Sequence, residues 1–221
     1  CSYSSSSSGL NELDSHSSVR SITVNPLSAG EKTVIADAVP RLGPLFRDGS
    51  TMDVLLSRPF FLEAILRLSP AAGELPASEA ELLDLWWELG GSYDAVFAAA
   101  QRRRDTLIAL ANQAAGSPNT PLSIAGLDAG ALEQLRAADV LRDQSFGHSV
   151  HFTHDIYEEW ALAELLLRNE VDLPGFLQTV GEPQTLARAA QLVGTRTLEH
   201  DRSGATWLQL LASVQQNDLR P

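Results

Sequence analysis

Helical periodicity runs through most of the chain, broken at intervals by proline and glycine. Ser28 is followed three residues later by Glu31, the spacing of a reciprocal helix cap. Val34, Ile35, Ala38 and Val39 then form one apolar stripe that stops before Pro40. Thr51 to Ser57 and Pro59 to Leu68 predict two short helices hinged at Pro59, since proline at the first helical position loses no hydrogen bond. Ser78, with Glu81 at the reciprocal position, opens another capped helix that runs through Leu82, Leu83, Leu85, Trp86 and Leu89 to a stop at Gly90-Gly91. A longer helix is predicted from Tyr93 to about Ala115, ending before Gly116-Ser117-Pro118, and another from Ala129 to Ala138.

The period then changes. Val140 to Asp143 and Ser149 to Thr153 alternate as the two strands of a hairpin, with a turn around Ser145 to Gly147. Asp155 to Arg168 follows as a strong helix carrying Ile156, Trp160, Ala163 and Leu167 on one face. Three helices, a β-hairpin and a following helix make a winged-helix pattern. Helices at roughly Leu173–Val180, Gln184–Thr197 and Ala205–Gln215 resemble the opening of a helical array. Before all this, residues 1–21 hold ten serines and too little apolar surface to offset ordering, so they are expected to form a flexible loop. Ser21-Ile22-Thr23-Val24 is expected to be one short strand closed by Pro26. The best internal boundary lies at Ser69 to Pro76, where two prolines and a glycine cluster.

Composition narrows the function classes. With 221 residues the chain can bury a sizeable core as one large or two small domains. No run approaches the roughly 18 apolar residues of a membrane helix, and no secretory leader pattern opens the chain. Its single cysteine, Cys1, can form neither an internal disulfide nor a metal site alone, so a cytoplasmic location is expected. The absence of an initiator Met suggests a fragment. Sixteen basic against 28 acidic residues give a net charge of −12, and neither half is basic: 9 against 14 up to residue 120, then 7 against 14. Nucleic-acid affinity comes largely from cations that displace counterions, so DNA or RNA is an unfavourable main partner, as is an anionic membrane surface. Lys32 is the sole lysine, which together with the alanine richness reads as the imprint of a GC-rich bacterial genome.

Motifs of self-sufficient catalysis are missing. There is no phosphate-binding Gly-Lys-Ser/Thr loop, Rossmann fingerprint, His-Glu-x-x-His helix, Gly-x-Ser-x-Gly elbow or Cys-x-x-Cys pair. His148, His151 and His154 sit three apart, but on a strand that spacing alternates faces, so no metal site is expected from them. Arg102-Arg103-Arg104 would splay around a helix and is expected to be solvated or salt-bridged. Of the pair Trp86-Trp87, one ring is expected in the core and the other at an inter-domain contact.

Phe152-Thr153-His154-Asp155, which ends a strand and opens an amphipathic helix, resembles the Met-His-Asp motif in the winged-helix domain of STAND-type (NB-ARC and NACHT) NTPases of the AAA-like P-loop superfamily. The longer stretch Val150 to Ala163 is similar to what many bacterial members carry there. Val24-Asn25-Pro26-Leu27-Ser28-Ala29-Gly30-Glu31 resembles the family's exit from its nucleotide domain into a helical lid, and Leu55 to Leu62 resembles the lid segment whose proline packs on adenine. Ser57 stands where that segment usually has glycine, and Thr153 where the motif has Met.

The resemblance implies a mostly α fold. Residues 22–70 would be the end of the nucleotide domain plus the lid, 76–169 the winged-helix domain with one hairpin, and 170–221 a C-terminal helical region. It implies that His154 contacts the β-phosphate of ADP, that Pro59 contacts adenine, and that Asp155 supports the helix start. ATP or ADP with Mg would bind only in a full-length parent ATPase, whose P-loop domain is the expected partner in cis. This stretch would bind none itself and would not be an enzyme alone. The same residues also admit a plainer account, with Thr153 as N-cap, His154 exposed and Pro59 starting a helix. Two rival functions stay open at this point. One is a winged-helix DNA-binding regulator reading bases with Ala129 to Ala138, where Arg136 is the one cation; the other is a helical scaffold for protein partners or self-association.

Overall fold

The computed structural model describes residues 25–46, 51–68, 75–92, 97–144, 147–181 and 185–218. The expected serine-rich loop, the Ser21–Val24 strand, most of the 69–76 boundary and the tip of the hairpin turn lie outside them. The fold is mostly helical with a small antiparallel sheet. Helix α1 (Ala29–Ala38), a 3-10 segment (Pro40–Phe46), α2 (Thr51–Leu56) and α3 (Pro59–Leu68) come first. Then follow α4 (Glu79–Glu88), α5 (Phe97–Gly116), β1 (Leu122–Ser123), α6 (Ala129–Ala137), β2 (Leu141–Gln144), β3 (Ser149–Phe152) and α7 (Asp155–Arg168). After a 3-10 turn at Glu170–Asp172, the chain ends in α8 (Leu173–Val180), α9 (Thr185–His200) and α10 (Ala205–Asp218). Among the described residues no helix is long and apolar enough to cross a membrane.

Local chemistry explains the helix ends. Ser28 and Glu31 form the expected reciprocal cap, with the Ser28 amide donating to the Glu31 carboxylate at 2.8 Å. At α4 the reciprocity is displaced: Ser78 Oγ accepts from the Glu81 amide, but the Glu81 carboxylate accepts from Ala77 N–H rather than from Ser78. Gly90 and Gly91, at φ 66° and 73°, close α4 by donating to the carbonyls of Trp87 and Trp86, each at 2.9 Å.

The sheet has one strand more than the predicted hairpin. Strand order is β1-β3-β2, with Leu122 opposite Val150 and Leu141 opposite Phe152. Two residues are too few for a periodic signal, so β1 was invisible to pattern reading. Its outer edge is covered by Gln113 of α5, whose side-chain amide exchanges hydrogen bonds with the Ser123 backbone at 2.8 and 3.0 Å. From α4 to β3 the element order is helix, helix, strand, helix, strand, strand.

One expectation about a side chain is corrected. Arg103 is not solvated: it is 1% exposed and donates to the Leu89 and Gly90 carbonyls and to Gln134 Oε1 at 2.7, 3.1 and 2.6 Å. It thus takes up backbone oxygens left over at the end of α4, where the helix dipole also favours a cation. Trp87, expected at an inter-domain contact, belongs to the buried core. It is buried beside Trp86, with the Arg168 guanidinium of α7 5.8 Å from its ring centre.

Candidate functional site

Helix α7 begins at the end of β3, where the backbone of His154 is still extended (φ −136°, ψ 140°) and its carbonyl already accepts from the Tyr157 amide at 3.0 Å. His154, not Thr153, therefore occupies the N-cap position, and its side chain makes no capping hydrogen bond. The threonine is used otherwise. Its hydroxyl donates to the Asp139 carbonyl and its amide to the Val140 carbonyl at 3.0 Å, fastening the start of α7 to the segment between α6 and β2. Relieved of capping, the imidazole is exposed and turns toward α3, where it meets the Phe60 ring edge-on at 5.0 Å and Tyr157 at 5.9 Å.

Phe60 belongs to an aromatic cluster that joins α3 to α4 and α7. It contacts Phe61 at 5.3 Å, Tyr157 at 5.1 Å and Trp160 at 6.2 Å, while Trp86 stacks on Tyr157 with an interplanar angle of 17°. Aromatic pairs of this geometry contribute about 0.5–1.5 kcal/mol each beyond their buried area, so the seam is held by several kcal/mol. Pro59 lies beside it as the exposed first residue of α3. On its other side the Leu27 amide donates to the Ser57 carbonyl at 2.7 Å, and Ser57 Oγ donates back to Val54. The segment from residue 57 to 60 thus meets both Leu27 and His154.

Asp155, the first residue of α7, is exposed and faces elsewhere. With His151, Gln144 and Glu158 it lines a separate hollow of about 320 Å³. Burial, and then the neighbouring Asp155 and Glu159 charges, push the Glu158 carboxyl upward. The three histidines do not gather: His148 is exposed ahead of β3, His151 turns to that hollow and His154 to Phe60. Among the described residues no group of three His, Cys, Asp or Glu side chains could hold a metal ion.

The space beside His154, bordered by Phe60, Glu63, Asp139 and Tyr157, amounts to about 20 Å³. That is room for a water molecule, not for a nucleotide. No protein-family model matches the chain, and no curated protein matches it. What the site offers chemically is one exposed imidazole over an aromatic floor, at the amide-rich start of a helix, open on the side away from Phe60. Phe60 and Tyr157 were the partners not singled out from sequence, although Tyr157 and Trp160 stand one helical turn apart.

Proposed function

We propose that this chain is the lid and winged-helix portion of a STAND/AAA-like ATP-binding NTPase of the cytoplasm, and that it relays the nucleotide state of a P-loop domain to the helices α8 to α10. The observation that carries this reading is the pair of contacts just described. The three stretches that resemble family motifs are separated by dozens of residues, yet Leu27 bonds Ser57 and Phe60 carries His154. An exposed imidazole at a helix start is suited to a phosphate brought by a second domain, since the unpaired amides there favour an anion. ATP or ADP with Mg would then be held chiefly by that domain, with His154 and Pro59 contributing from this side. By itself the chain neither binds nucleotide well nor hydrolyses it.

The DNA-binding alternative is less well supported. Arg136, the one cation of α6, is engaged by Asp143 of β2 through both Nε at 2.9 Å and the adjacent Nη2. A base-reading arginine would first have to abandon that carboxylate, on a helix that also exposes Glu133. The nucleotide relay is tested in the full-length parent by ADP dissociation. His154→Ala is expected to speed ADP release at least about tenfold, the loss of one charge-assisted hydrogen bond. An unchanged release rate rejects the assignment.

A further inference from the structure

Thr153 stands between two fixed elements. On its strand side the β2 and β3 ladder has Leu141 opposite Phe152, and the Thr153 amide carries it one step further by donating to the Val140 carbonyl at 3.0 Å. On its helix side α7 begins at Asp155, so His154 is a joint of one residue between strand and helix. The backbone is hydrogen-bonded on both sides of that joint, and the direction of the imidazole is set by how the joint is turned.

What Thr153 rests on is the C-terminal turn of α6. There the Val140 amide donates to the Leu135 carbonyl and the Asp139 amide to the Arg136 carbonyl, each at 2.9 Å, the paired bonds of a Schellman turn. Asp139 takes the left-handed position of that turn, at φ 55°, and Val140 after it is fully buried. The turn is a firm base, and it offers Thr153 two successive carbonyls: the hydroxyl donates to that of Asp139 and the amide to that of Val140. A β-branched side chain has few rotamers, so the hydroxyl bond resists twisting of the backbone that leads into His154. Ala138 and Asp139 also border the small space beside the imidazole.

A threonine just before a helix has a competing use, as the N-cap residue itself. In that role Thr153 would draw His154 into the first turn of α7. With the hydroxyl held on Asp139 instead, the N-cap place falls to His154 and its side chain stays outside the helix.

We infer that Thr153 is the positioning residue of the His154 site. By tying the strand-to-helix joint to the α6 turn it holds the imidazole against Phe60 and, on the nucleotide reading proposed above, on which the ligand rests, at the place where it meets a phosphate of ADP.

The geometry is tested on the full chain by the ring-proton magnetic resonances of His154, one of five histidines, identified by their loss in His154→Ala. Phe60→Leu removes the neighbouring ring and sets the scale of the ring-current displacement. Thr153→Val, equal in size but without the hydroxyl, is expected to abolish the larger part of that displacement, and Thr153→Ala to do the same. Thr153→Ser, which keeps the hydroxyl, is expected to retain it. In the full-length parent Thr153→Val is expected to speed ADP release about three- to tenfold, the worth of one neutral hydrogen bond, and Thr153→Ser to leave it unchanged. Unmoved His154 resonances in both Thr153→Val and Thr153→Ala overturn the inference, as does Thr153→Ser behaving like them. A release rate that responds to His154→Ala but not to Thr153→Val overturns it equally. If neither substitution alters release while the resonances move as expected, the positioning role stands and the nucleotide reading falls.

Discussion

The imidazole of His154 stands edge-on to the ring of Phe60, 5.0 Å between centroids, and so couples the first residue before α7 to the first turn of α3. The two partners differ in what they do for the fold. Phe60 is half-buried and touches Phe61, Tyr157 and Trp160 as well, whereas His154 is exposed.

Stability and function should therefore separate at this pair. Phe60→Ala is expected to cost about 2–3 kcal/mol by emptying part of the aromatic seam. His154→Ala should stay within about 1 kcal/mol. Urea denaturation followed by tryptophan fluorescence measures both, and equal losses would refute the division of roles.

Arg103 makes a sharper case. Its replacement by Met leaves the Leu89 and Gly90 carbonyls and Gln134 without their donor in a buried place, so a loss of about 3 kcal/mol or more is expected. Lysine keeps the charge but cannot span three oxygens with one ammonium, and should recover less than half of that loss. A Met variant as stable as the parent in thermal unfolding would contradict this account.

Two glycines with similar backbone angles give a controlled comparison. Gly90 has φ +66° and a Cβ there would lie 2.4 Å from the Ala100 carbonyl oxygen; Gly126 has φ +79° and nothing within 4 Å. Gly126→Ala should cost about 1 kcal/mol, the conformational penalty alone. Gly90→Ala should cost at least about 3 kcal/mol, because the helix backbone it strikes cannot step aside. Melting temperatures that fall equally for both would show that conformation alone decides.

Acidity acts in two opposed directions. Asp84, Glu159 and Glu164 are raised chiefly by burial, as is Glu158, so the folded chain holds these protons more tightly than the unfolded one. Their contribution to stability accordingly grows as pH falls from neutrality toward the ordinary carboxylate range near about 4. Asp201 is depressed, mainly by its hydrogen bonds from the Ser203 hydroxyl and the Thr206 amide, and Glu31 by those from Ser28. What these two contribute is lost as pH falls below that range. Thermal melts should show a midpoint that rises between pH 7 and 5 and drops below pH 4. A steady fall from pH 7 to 5 would sink the assignment.

Reading along the chain located α7 and α8 at the observed ends, together with the Ser28 cap, the Gly90-Gly91 stop and the hairpin, because each depends on neighbours within a few residues. It also singled out His154 and Pro59. What it could not supply was their surroundings. Phe60 meets His154 across more than ninety positions of sequence, and no local pattern marks that contact.

The amino-acid sequence alone determined where helices start and stop, since capping side chains, proline's missing donor and glycine's freedom act through local backbone chemistry. Tertiary structure alone decided which polar groups became buried. Arg103, with two identical neighbours, faces the end of α4 and is enclosed, while Arg102 beside it stays in water. Arg188 and Arg196 likewise gained their acid pairs only when α4, α7 and α9 packed together. Charge and burial depend on what lies across space, and that is set by the packing of the whole core.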